Sequence, residues 1–313
     1  MLNRFTSVMV VTLLAALGGG VAAFAQRGAA PAPGGWVQPI WDEPPITNQN
    51  KKPAPKRNIA GTWGPAEGAG AGIQAGGVKS KPNNGKPENA LPYTPHGLEV
   101  YKTHKGLEGA NAVLPTEGND PRNVCDPLGV PRYNHYNVRL TQIFQDDRKV
   151  VILYQYDNRW RTIWTDGRQL PKIVDGGVEI AGGLREQRFF GYSVGKWVDD
   201  YTLVAETVGG MPEDRVWLDS TGRPLSDKVH VIETFHRVDR DTLVWSETID
   251  DPVMYTKPWE TMVLPMRLKD AGTDVAEYYC SVTELQRYNK FYGYAASGKD
   301  GADADSDSKD SNK

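Results

Sequence analysis

Cysteine is nearly absent from this chain, positive charge is not in excess, and no apolar run is long enough to cross a bilayer. Each shortage removes a class of function. With 36 Lys and Arg against 39 Asp and Glu, the formal net charge is −3, which gives no general attraction to nucleic acid or an anionic membrane. No P-loop, dinucleotide fingerprint, EF-hand loop or Cys/His set with metal-ligand spacing occurs. The expectation is a protein without nucleotide, flavin or zinc cofactor and without a metal site.

The apolar run Val8–Leu17 is shorter than the roughly 20 residues of a spanning helix. With Arg4 before it and Ala23-Phe24-Ala25 after it, it reads as a secretory signal peptide over residues 1–25, cut near Ala25. Gln26 follows the cut, which argues against a lipoprotein. Losing Arg4 takes the net charge from −3 to −4. A periplasmic or secreted protein with no stable membrane insertion follows as an expectation. In an oxidising compartment the only two cysteines, Cys125 and Cys280, are expected to pair.

Residues 26–57, rich in Pro, Gly, Ala, Lys and Asn, read as a linker or surface arm, and 295–313, without a large apolar residue, as a disordered tail. Residues 58–294 form the single folded domain. Its signature is a near-repeat: Gly191–Thr207 closes on Thr-Leu-Val-Ala-Glu-Thr, and His236–Thr248 closes on Thr-Leu-Val-Trp-Ser-Glu-Thr. Both copies read as β-hairpin arms. Strands are expected at Ile59–Trp63, Val138–Gln145, Val150–Tyr156, Arg159–Trp164, Arg185–Phe190, Lys196–Val198, Thr202–Val208, Val229–Val238, Thr242–Ile249, Thr261–Leu268 and Glu277–Thr283. Helices are expected within Thr94–Gly109 and at Leu285–Tyr294. This spacing predicts an all-β antiparallel meander closed into a barrel, with a two-sheet sandwich as the alternative. The Gly-x-Trp at Gly61–Trp63 adds a lipocalin-like feature.

Few motifs carry chemistry. Gly191-Tyr192-Ser193-Val194-Gly195 matches the nucleophile elbow of serine hydrolases, but a strand and turn follow it where that elbow needs a helix. His230 and His236 share one strand face roughly 20 Å apart, too far to hold one metal ion. His135, in the stiff Pro-Arg-Tyr-Asn-His-Tyr segment with Arg132 and Tyr133, is the better acid–base candidate because histidine titrates near neutrality. Arg159 and Arg161 alternate with Trp160, Thr162 and Trp164. Either the tryptophans face inward and the arginines face water, or the arginines line an interior and need carboxylate partners. Glu206 and Glu247 occupy matching places in the two arms and are candidate partners. Catalytic candidates are therefore His135, Arg161, Asp166 and Glu206. Arg132, Tyr133, His135, Trp164, Arg168, Tyr255 and Trp259 are candidate ligand contacts.

Several motifs together carry a family likeness. They are Cys125-x-Pro-x-Gly-x-Pro-Arg132, Thr165-Asp-Gly-Arg168, Gly191-Tyr-Ser-Val-Gly-Lys-Trp197, Asp200-Tyr-Thr-Leu-Val204, Trp217-Leu-Asp-x-x-Gly-Arg-Pro224, Phe235-His-Arg-Val-Asp239, Thr248-Ile-Asp-Asp-Pro252 and Tyr255-Thr-Lys-Pro-Trp259. Over Gly61–Val282 the chain resembles a large family of uncharacterised secreted bacterial proteins with a calycin/lipocalin-like β-barrel. The resemblance implies an exported barrel and brings no catalytic residue. Many members have Trp-x-Gly-Asp-Thr-Leu-Val where this chain has the longer Trp197-Val-Asp-Asp-Tyr-Thr-Leu-Val204. Three functions are consistent with these readings: a barrel binding a small apolar or aromatic molecule in its mouth, a cofactor-independent lyase, isomerase or hydrolase, and an envelope structural or interaction protein. A homo-oligomer is compatible with each.

Overall fold

In the computed structural model the described residues are 52–66, 90–135, 140–174, 177–180, 182–212, 214–261 and 263–293. The expected signal peptide, most of the arm and the expected tail lie outside them. The chain enters β1 (Gly61–Pro65), forms helix α1 (Pro95–Thr103), then builds β2 (Thr141–Gln145), β3 (Lys149–Tyr154) and β4 (Arg159–Trp164). A side excursion follows, β5 (Ile173–Val174), β6 (Gly177–Ile180) and β7 (Leu184–Glu186). The chain returns through β8 (Tyr192–Trp197), β9 (Thr202–Val208), β10 (His230–Arg237), β11 (Thr242–Asp250), β12 (Trp259–Glu260) and β13 (Leu264–Leu268), and ends the described region in α2 (Val282–Tyr288) and a wider π-helical turn over Asn289–Gly293. α1 starts where Thr94 caps the Gly97 N–H at 2.9 Å and Pro95 supplies a pre-set first residue.

Nine strands close into a barrel in the order β10-β9-β8-β4-β3-β2-β1-β13-β11, with β11 returning to β10 and β12 added beside β11. The expected all-β barrel is present, but it is mixed where an antiparallel meander was expected: β4 and β8 are parallel. Counting gives the reason. Strands that alternate up and down around a ring need an even number, so nine strands require a parallel neighbour pair. The pair falls where the connection is long, across the β5-β6-β7 sheet, because short hairpins permit only antiparallel partners.

Alternation then decides which side chains enter the barrel. Along β10 the inward residues are Val231, Glu233, Phe235 and Arg237, and along β11 they are Leu243, Trp245, Glu247 and Ile249. One end is filled by a cluster that includes Ile59, Trp63, Ile143, Ile152, Ile163, Leu203, Phe235, Trp245 and Leu264. Trp63 closes that end. Its indole N–H donates to the Ile59 carbonyl at 3.0 Å, and the Arg237 guanidinium lies over its ring at 4.6 Å. A second cluster, with Leu91, Val130, Leu218, Val231, Ile249, Met254, Tyr255 and Trp259, covers the opposite end with loops.

Four expectations are corrected. Glu277–Thr283 forms no strand: both edges of β13 are already filled, by β1 and β11, and this segment is tied instead by Cys280, which bonds Cys125 and donates its N–H to Asp157 Oδ1 at 2.9 Å.

 Arg185–Phe190 contributes only the short β7, which pairs with β6 outside the barrel. The strand expected at Lys196–Val198 begins earlier, at Tyr192, so the Gly-x-Ser-x-Gly motif is a barrel strand. The terminal helix also starts earlier than Leu285, at Val282, after the Ser281 cap.

Candidate functional site

The site begins with a loop that is pinned before it enters the barrel. Asp120 accepts two hydrogen bonds from Arg132, at 2.9 and 2.5 Å, and both side chains are buried. It also accepts from the Arg122 N–H at 2.9 Å, capping the short turn Pro121–Val124. Burial alone would raise the Asp120 pKa, but Arg132 overrides it and holds the carboxyl below its ordinary value. The disulfide from Cys125 to Cys280 anchors the same loop. Turn hydrogen bonds from Tyr133 N to Gly129 O and from His135 N to Arg132 O then direct the next two side chains inward.

Those side chains, Asn134 and His135, meet a polar layer between the two apolar clusters. Glu233 on β10 lies opposite Glu247 on β11. The Asn134 amide bridges them, donating to Glu233 Oε1 at 2.7 Å and Glu247 Oε1 at 2.6 Å, and its carbonyl accepts from the Tyr154 hydroxyl at 2.6 Å. His135 Nε2 donates to Glu247 Oε2 in a short contact. Arg161 Nη2 lies 2.7 Å from each Glu233 oxygen. Ser193 and Thr207 hydroxyls are 2.8 Å apart, and Thr207 reaches Glu233 at 3.4 Å. Burial raises the Glu233 pKa, Arg161 opposes the rise, and Glu247 adds to it. Burial also raises the Tyr154 phenol well above its ordinary value, so it remains a donor.

The layer approaches the surface at the parallel seam. β4 and β8 pair only near Ile163–Ser193 and Trp164–Val194. Below that pairing the wall parts into a cleft of about 440 Å³, lined by Trp160, Arg161, Trp164, Arg188, Phe190 and Ser193 among others. Arg161 is 3% exposed, and its Nε and Nη1 have no protein acceptor. The Arg188 Nε in the same lining has none either.

The sequence candidates scatter. Arg161 and His135 join one network, although His135 is fully buried and does not line the cleft. Of the two open readings of β4, the arginine-inward one is realised for Arg161, with Trp160 64% exposed, while Arg159 stays partly exposed and pairs with Asp157 at 2.7 Å. Asp166 sits in a surface turn, where hydrogen bonds from Arg168 lower its pKa to about 2. Glu206 faces outward to His230 at 2.9 Å, and does not match Glu247 in position. Arg132 is held by Asp120, and Tyr133 stacks on Phe190 with ring centres 5.2 Å apart. Trp164 carries the Arg168 guanidinium 3.6 Å above its ring. Tyr255 and Trp259 pack within the covering cluster, and the Tyr255 hydroxyl donates to Pro224 O at 2.8 Å. Glu233, Asn134 and Tyr154 were not foreseen. Strand parity could have found Glu233, an acid between Val231 and Phe235 on the inward face. Among the described residues, no group of three or more His, Cys, Asp or Glu is placed to hold a metal ion.

Compared with protein-family models, curated proteins and solved structures, the chain matches none.

Proposed function

We propose that this protein is an exported β-barrel that binds a small aromatic molecule in the seam cleft between β4 and β8. The observation that carries the reading is the joining of an aromatic-lined cleft to a buried polar layer through Arg161. Its volume of about 440 Å³ falls in the range of small-molecule sites, which combine apolar walls with a few fixed polar groups. The covered barrel end leaves the side wall as the way in. The Cys125–Cys280 bond agrees with export.

The test is native mass spectrometry of the protein purified from its host's envelope. A stoichiometric small molecule, released on unfolding and lost in a Trp164→Ala/Phe190→Ala variant, is expected. Protein that arrives empty and takes up no aromatic molecule would overturn the reading. The second reading, a cofactor-independent enzyme, rests on His135 against Glu247. Turnover of the released molecule, abolished by His135→Gln, would favour it.

A further inference from the structure

We infer that the ligand of the seam cleft carries a carboxylate, which docks on the free guanidinium nitrogens of Arg161 and Arg188. This rests on the proposed binding function and names its ligand class. The argument is one of donors and acceptors. A guanidinium only donates, and buried donors without acceptors are costly. Arg161 uses Nη2 on Glu233 and leaves Nε and Nη1 without a protein acceptor, while Arg188 uses Nη2 on Glu186 and leaves Nε. Both arginines line the same cleft. The one acidic side chain named in that lining, Glu186, is already engaged by Arg188 at 2.6 Å.

The cleft thus presents a surplus of donors beside apolar walls, with Phe189, Phe190, Trp160 and Trp164 supplying flat surface. A molecule that fits must bring acceptor oxygens at one end and an apolar body at the other. A carboxylate supplies two acceptors in the plane a guanidinium favours. A neutral amide supplies one acceptor and brings donors of its own, which meet the existing surplus.

The experiment uses the mature, disulfide-bonded chain and two probe pairs, phenylacetate with phenylacetamide and indole-3-acetate with indole-3-acetamide, titrated by calorimetry. Each acid is expected to bind at least about tenfold tighter than its amide, as a charge-assisted hydrogen bond gives. Arg161→Lys keeps the charge beside Glu233 and removes the planar fork, and should erase most of that preference. Arg188→Gln, nearer the surface, should reduce it several-fold without a folding risk at the buried layer. Equal binding of acids and amides overturns the carboxylate and leaves the aromatic site standing. A preference that survives both substitutions also overturns it, because the anion would then sit elsewhere. Failure of all four probes to bind removes both the inference and the function it rests on.

Discussion

Glu233 and Glu247 stand opposite each other across one strand pair, inside a layer that excludes water. Like charges in that position repel, so the layer depends on Arg161, Asn134 and His135. Removing Arg161 leaves Glu233 buried without its cation. Arg161→Met is expected to cost about 3–5 kcal/mol in denaturant unfolding, and adding Glu233→Gln should restore much of it. The raised Glu233 pKa has a definite sign in pH dependence. Because the folded state holds that proton more tightly, the contribution is complete below the ordinary value of 4.5 and is lost as pH rises through the raised folded value. Asp120 acts oppositely: its lowered pKa stabilises above the ordinary 3.8 and is lost as pH falls. Unfolding free energies measured against pH should therefore lose their decline above 4.5 in Glu233→Gln. A decline of unchanged slope would refute the assignment.

At the scale of elements, much of the ladder was legible because alternation is written into the residues: Arg159–Trp164 and Thr202–Val208 form strands with the expected bounds. The site was less legible. The two arms look alike, yet the second has one residue more between Thr-Leu-Val and Glu-Thr. Leu203 and Leu243 both face inward, so the extra residue turns Glu247 inward while Glu206 faces out. A difference of one residue is small in a motif and decisive in a strand of period two. β4 was undecidable alone, because tryptophan and arginine both suit a barrel interior once carboxylates wait there. Asn134 and His135 arrive by a loop, where no period signals direction. The closing element is easier to test: Trp63→Ala removes a fully buried ring and the surface beneath Arg237, and should cost about 3–5 kcal/mol by thermal or denaturant unfolding.

For the whole molecule, the Cys125–Cys280 bond joins residues 155 apart in sequence. A cross-link over so long a loop restricts the unfolded chain strongly, so Cys125→Ser/Cys280→Ser should lower stability by about 2–5 kcal/mol, read from denaturant midpoints. The odd strand count has a more lasting consequence. A ring of arrows that must alternate cannot be satisfied when their number is odd; the mismatch can be moved around the ring but never removed by changing one residue. Short hairpins keep it away from β2–β3, β3–β4, β8–β9 and β10–β11, and in this fold it sits at the long link between β4 and β8. Sequence drift can therefore widen, narrow or reline the opening at Arg161, but a ring with no parallel pair at all takes the gain or loss of a whole strand.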